Sequence, residues 1–188
     1  MKELFISLVM IPMLVMTSCE DDCVTLKNWQ EEDVVELITL APIQSSFQQG
    51  DVVTLTIDLP ASNDFFADYI DNRQTQVNLF EETGDHVALI TLGDDELFLD
   101  NTLTFIKGSR GEFPNWFILP YNSQTEMYEL EVQISLDRTG AYSHEKSGQI
   151  YLGPPDPTEC SNFLLNVQFA DIEGQFVEFT VNESSAAE

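Results

Sequence analysis

The chain has 188 residues, and acidic side chains outnumber basic ones 33 to 7, for a net charge of −26. That balance excludes a nucleic-acid binder and tight electrostatic docking on anionic lipid, since both need clustered Lys and Arg against phosphate. With 43% hydrophobic residues and 13 Phe the chain is globular rather than disordered, and its length suits one domain of ordinary size with a real core.

Residues 4–16 (LFISLVMIPMLVM) form an uncharged, mostly apolar run behind Met1, Lys2 and Glu3. The run is too short to span ~30 Å of hydrocarbon, which takes about 20 helical residues. It fits the apolar region of a secretory signal, and Pro12 inside it weakens a permanent helix. The other reading is a buried N-terminal strand or helix. No later stretch is long and apolar enough to cross a membrane.

Met16-Thr17-Ser18-Cys19 resembles the lipobox of bacterial lipoproteins: an aliphatic residue, a small residue, Gly, Ala or Ser, then Cys. Met16 departs from the usual Leu. The resemblance implies that residues 1–18 are a signal peptide, that the cut falls before Cys19, and that Cys19 carries diacylglycerol on its sulfur and an acyl group on its new amine. Each buried methylene contributes about 0.8 kcal/mol, and two or more chains make such anchoring stable. Glu20-Asp21-Asp22 follows at once. It is similar to the acidic export signal of Bacteroidota-type surface lipoproteins, which implies an outer-membrane protein facing the cell exterior. A solvated acidic linker, with the protein on the periplasmic face, is the alternative. Residues 19–33 then read as a lipidated tether. With Cys19 acylated, Cys23 and Cys160 remain, either as a disulfide or as two free thiols.

From residue 34 the dominant period is two. In 128–136, Tyr128, Leu130, Val132, Ile134 and Leu136 fall on one face, and Glu129, Glu131, Gln133 and Ser135 on the other, wet face. Only a strand sorts them so. Val53, Leu55, Ile57 and Leu59 alternate in the same manner with Val52, Thr54, Thr56 and Asp58, behind the turn signal Gly50-Asp51. Further strands are expected at 34–40, 76–80, 86–92, 102–107, 116–119, 148–152, 163–169 and 176–181. Many short strands without alternating long helices make residues 34–182 an all-β domain, an antiparallel Ig-like β-sandwich. A short helix or loop lies near one end: Ser62-Asn63-Asp64 can cap 65–70, where Phe65/Tyr69 and Phe66/Ile70 are i, i+4 pairs. Thr139-Gly140-Ala141-Tyr142 resembles the Gly-x-Tyr of the immunoglobulin-like tyrosine corner, which implies a phenol bonded back to upstream backbone; an ordinary turn with an exposed Tyr142 is the alternative. Three prolines keep 153–157 out of any ladder, and 183–188 has nothing to bury and should fray.

Motifs for chemistry are sparse. The two histidines are His86, beside Asp85 in a strand, and His144, in a turn beside Glu145. No HExxH, CxxC or Gly-x-Ser-x-Gly pattern occurs. Gly108-Ser109-Arg110-Gly111 lacks phosphate-loop spacing and reads as a hairpin turn. Asp64, Asp68 and Asp71 supply the hard oxygens that calcium takes, and Asp94, Asp95, Glu96 and Asp100 form a second acidic group; solvated surface is the plainer account of both. Glycoside hydrolysis needs two carboxyls at a fixed separation, which spacing on loops does not establish. Trp29, Phe113, Trp116, Phe117 and Tyr121 could stack on sugar rings, or simply pack in the core. Phe113, Trp116 and Tyr121, at a loop-to-strand junction, are the candidate ligand residues. The expected function is therefore a non-catalytic binding or accessory module at the cell surface, without a cofactor unless calcium. Its ligand would be a glycan, a peptide or a neighbouring outer-membrane protein. The alternatives are a structural subunit of an outer-membrane assembly and, third, a carboxylate-based hydrolase.

Overall fold

The computed structural model describes residues 25–27, 34–62, 65, 87–92, 96–153, 162–174 and 176–184. Residues 1–18, Cys19, Cys23, Cys160, Trp29, His86, the strand expected at 76–80, residues 154–157 and the candidate calcium ligands Asp64, Asp68 and Asp71 lie outside them. In chain order the elements are β1 (Thr25–Lys27), β2 (Val35–Ala41), β3 (Ser46–Gln48), β4 (Val52–Pro60), β5 (Val87–Leu92), α1 (Glu96–Leu99), β6 (Thr102–Lys107), β7 (Ser109–Arg110), β8 (Trp116–Leu119), β9 (Tyr121–Asn122), β10 (Met127–Ser135), β11 (Gly140–Glu145), β12 (Ser147–Gly153), β13 (Asn162–Phe169) and β14 (Phe176–Asn182). They form an all-β sandwich. The large sheet runs β6-β10-β4-β2-β13-β12-β5-β8-β7, and the small one runs β11-β14-β3. Pairing is antiparallel except where β13 meets β1 and β2, and where β14 meets β3. β1 falls within the stretch expected to be tether.

The alternating pattern fixes the register. β10 and β4 pair Tyr128 with Leu59, Leu130 with Ile57, Val132 with Leu55 and Ile134 with Val53, and all eight side chains are fully buried. Each such burial contributes about 1.5–3 kcal/mol relative to exposure. A slip of one residue would turn the whole set to solvent. The wall opposite is built alike: Leu165, Ile150, Ile90 and Phe117 lie side by side across β13, β12, β5 and β8 and are buried.

The two ends of the large sheet lie on one run of chain. β6 pairs with β10, and β7, one residue later, pairs with β8. The run changes partner at Gly108. Its φ is +83°, and a Cβ there would sit 2.5 Å from the Ile118 carbonyl oxygen and 2.7 Å from Leu130 Cδ1. Only glycine fits the close approach and the left-handed backbone. Gly108–Gly111 is therefore not the hairpin turn the sequence suggested. Residues 109–110 are strand, and the turn comes after them, closed by Gly111 N–H donating to the Trp116 carbonyl and Trp116 N–H to that of Phe113.

α1 is absent from the expected elements because four residues, Glu-Leu-Phe-Leu between acidic neighbours, are too few to show a helical period. It places Leu97 and Phe98 in the core. Its last carbonyls accept from Asn101 Nδ2 (2.9 Å, at Leu97) and Arg110 Nη2 (3.0 Å, at Phe98). The Phe98 ring stands edge-on to Phe117 and His144. His144 is not in a turn: it is on β11, 1% exposed, and also edge-on to Phe169. Tyr142 is buried, stacks on Phe179 and donates from its hydroxyl to the Arg138 carbonyl at 3.1 Å. That is the bond expected of Gly-x-Tyr here, and the exposed-turn alternative is excluded. Where the short helix or loop was expected after β4, Phe65 N–H donates to Ser62 Oγ, the bond an N-cap makes; residues 66–86 lie outside the description.

Glu129 also departs from its expected wet position. It is on the outer face of β10, yet the turn after β9 covers it and leaves it 6% exposed. Asn122 Nδ2 donates to it at 2.9 Å and Thr125 Oγ1 at 3.2 Å, and Lys107 Nζ lies 3.3 Å away. The Asn122 bond, opposed by burial and reinforced by Lys107 and Thr125, holds its carboxyl below the usual range. Exposed Asp137, at the far end of β10, is likewise held low, by Thr102 and then Ser135.

Two outcomes are expected. Gly108→Ala lowers stability by about 2–4 kcal/mol through clash and backbone strain. Gly50→Ala, also at positive φ but with open space around it, loses only about 1 kcal/mol. Urea denaturation of both variants checks this, and equal losses would remove the steric role of Gly108. Glu129 has a folded-state pKa below its unfolded one. Its contribution is therefore complete above the unfolded pKa and is lost as pH falls through the folded value. Glu129→Gln should cost about 1–2 kcal/mol at neutral pH and flatten the acid limb of a stability–pH curve.

Candidate ligand-binding groove

Because side chains alternate across a sheet, the residues next to the buried row Leu165–Ile150–Ile90–Phe117 form a matching row outside. Gln149 lies opposite Asn166 on one side and Thr91 on the other, and Thr91 lies opposite Trp116. An aromatic, a hydroxyl and two carboxamides thus cross four strands in register. At the usual strand spacing the row spans about 14 Å. It floors an open groove of about 670 Å³, whose walls include Asn115 and Glu145.

The row is held by its own bonds. Gln149 Nε2 donates to Asn166 Oδ1 at 3.1 Å, which leaves the Oε1 of Gln149 without a partner among the described residues. Asn115 clamps the end of β5: its Nδ2 donates to the Leu92 carbonyl, and its own carbonyl accepts from Leu92 N–H. Gly148 is forced small, since a Cβ would stand 2.9 Å from Leu92 Cδ2 and 3.0 Å from the Thr91 carbonyl oxygen.

Trp116 is half-buried and fixed from behind. The Phe113 ring meets it edge-on at 4.6 Å between centroids, an arrangement the ring quadrupoles favour. Gly111 passes so close that a Cβ there would lie 3.0 Å from Trp116 Cβ. The structure therefore brings two of the three candidate aromatics together. Tyr121 goes elsewhere: beyond Pro120 the chain leaves β5 and pairs with β10, so Tyr121 packs against Tyr128, 5.3 Å between centroids. Phe117, one residue from Trp116, faces inward and is core. Burial, with Tyr121 beside it, pushes the Tyr128 phenol up to about 12.

Two smaller cavities continue the groove. One, about 310 Å³, shares Val34, Glu145 and Ser147 with it and reaches Phe176. The next, about 250 Å³, shares Phe176 and ends at Ile43. Lys146 lines the middle cavity, and its ammonium donates to the Ile172 carbonyl. Phe176 and Ile43 are 48% and 56% exposed. Among the described residues no group of three or more His, Cys, Asp or Glu is placed to hold a metal, and no helix is long and apolar enough to cross a membrane.

Sequence comparison finds no matching protein-family model and no matching curated protein. Among solved structures, the chain is similar to AggA, the major subunit of aggregative adherence fimbriae type I from Escherichia coli. There the TM-score is 0.36 and the identity 7%, over 77% of this chain and 93% of that one. It is similar also to the ASH/PapD-like domain 7 of human CEP192, with TM-score 0.22 and 9% identity over 74% and 89% of the two chains. Likeness at this level carries no argument about function.

If Phe113 braces the indole, Phe113→Ala should change the near-UV circular dichroism of Trp116 while costing under about 1.5 kcal/mol of stability. An unchanged spectrum would show that Trp116 is held without it.

Proposed function

We propose that the protein is a non-catalytic binding or accessory module, carried on the outer membrane by acyl chains on Cys19 and facing the cell exterior, with its ligand held in the Trp116 groove. The observation that carries the binding role is the in-register row of Trp116, Thr91, Gln149 and Asn166 on an open sheet face. Convergent polar groups beside an apolar surface in one concavity are what small-ligand sites present. The anchoring half rests on the Met16–Cys19 motif and the acidic residues behind it. Lys2 and Glu3 cancel, so removing the leader leaves the net charge at −26. A domain so charged is repelled by anionic lipid and would stand off the bilayer at the end of its tether.

A second reading is a structural subunit of an outer-membrane assembly. It draws on the exposed Phe176 and Ile43 at the far end of the groove, since apolar surface of that kind serves partner contact.

The anchoring is tested by mass spectrometry and fractionation of the natural protein. Cys19 should carry diacylglycerol and an amide-linked acyl chain, and Cys19→Ala should empty the outer-membrane fraction. Replacing Glu20, Asp21 and Asp22 with alanine should leave the protein membrane-bound but shielded from protease added to intact cells. A retained leader peptide or an unmodified Cys19 thiol would overturn this half of the proposal.

A further inference from the structure

We infer that the ligand of the groove is an uncharged glycan chain lying across β8, β5, β12 and β13, with one sugar ring against Trp116. This inference rests on the binding role proposed above. The first argument is chemical type. A pyranose presents a face of C–H groups and a rim of hydroxyls that both donate and accept. The negative face of an indole attracts the C–H groups. Carboxamides and hydroxyls, which donate and accept at once, match the rim, and these are what Thr91, Gln149 and Asn166 bring along the row, while the Nδ2 of Asn115 is taken by the Leu92 carbonyl. A peptide, by contrast, gains affinity from a free sheet edge that extends its backbone ladder. Here the groove lies on a sheet face, and the backbones of β5 and β12 are paired on both sides.

Charge narrows the class. Glu145 lines the groove, the ammonium next door, that of Lys146, sits beside it in the adjoining cavity, and the chain as a whole is at −26. A uronate or sulfated sugar would enter against that field. An uncharged one meets no penalty. Length argues for a chain rather than a single sugar: the row alone spans about 14 Å, and the adjoining cavities lead on to a second exposed ring at Phe176. Finally, Trp116 is fixed before anything binds, by Phe113, by the Gly111 turn and by two backbone hydrogen bonds. Little ordering cost is left for the ligand to meet.

The test is isothermal titration of the purified mature protein in detergent. The probes are cellohexaose, xylohexaose, mannohexaose and maltohexaose, with hexagalacturonate and a pool of uncharged decapeptides beside them. At least one neutral hexaose should bind, and hexagalacturonate should bind at least about tenfold more weakly or not at all. Trp116→Ala should weaken the neutral hexaose about tenfold or more, and Gln149→Ala a few-fold. Gln149 is exposed and outside the core, so its variant remains informative if Trp116→Ala fails to fold. Hexagalacturonate or peptide binding in preference, with the same dependence on Trp116, overturns the glycan class and leaves the groove as a binding site. A neutral hexaose held equally by both variants overturns the location. No binding by any probe overturns the inference and the binding role together, while the lipid anchor stands or falls on Cys19 alone.

Discussion

The large sheet is held together by a change of partner at one residue. The chain from Thr102 to Arg110 hydrogen-bonds first to β10 and then to β8, and it can do so because Gly108 lets the backbone turn against the Ile118 carbonyl without a side chain in the way. In sandwiches, strands that switch sheets make the corners. The corner here joins both ends of the large sheet through one run of chain, pairing with β10 along β6 and with β8 along β7, while the separate three-stranded sheet has β11 and β3 at its edges. On that sheet β3 is pinned by Asn182, whose side chain bonds Ser46 and Phe47.

The groove follows from that closure. Phe117 and Trp116 are consecutive on β8, one inside and one outside. Once Phe117 is locked against Phe98, Ile90 and the core, Trp116 has one place to be. The same argument runs along the neighbouring strands, where buried Ile90, Ile150 and Leu165 set Thr91, Gln149 and Asn166 on the surface beside it. The binding face is thus the reverse of the core. Its precision comes from hydrophobic packing, with the Gln149–Asn166, Thr91–Gln149 and Asn115–Leu92 bonds local to it.

Much of this architecture was legible in the chain. Alternation gave β4 and β10 with the right faces, and β6 and β8 with their observed limits, because a half-buried strand writes its pleat into its sequence. The aromatic pair Phe113 and Trp116 was legible as a candidate site from its loop-to-strand position. The rest depended on contacts between residues far apart in sequence. Nothing near 91, 149 or 166 says that these positions lie abreast, since register is a property of pairs of strands. Glu129 and Tyr121 were misplaced for the same reason. Pro120 redirects the chain onto β10, which carries Tyr121 to Tyr128 and folds Asn122 and Thr125 over a carboxylate that alternation had put in water. His144 was hidden by polar neighbours, and its strand is recognisable only once Tyr142, Phe179 and Phe169 are seen around it.

Native-state hydrogen exchange across the Gly108 corner addresses the closure most directly. The Glu129 amide, which donates to the Pro120 carbonyl, and the Gly111 amide, which donates to that of Trp116, both lie where the strand passes from one partner to the other. If the sheet is closed there, these amides exchange only by global unfolding, with the same opening free energy as amides at the centre of β4 and β10. Exchange by a cheaper local opening, with β5 and β8 peeling away while β4 and β10 stay protected, would contradict it and with it the fixed register on which the groove depends.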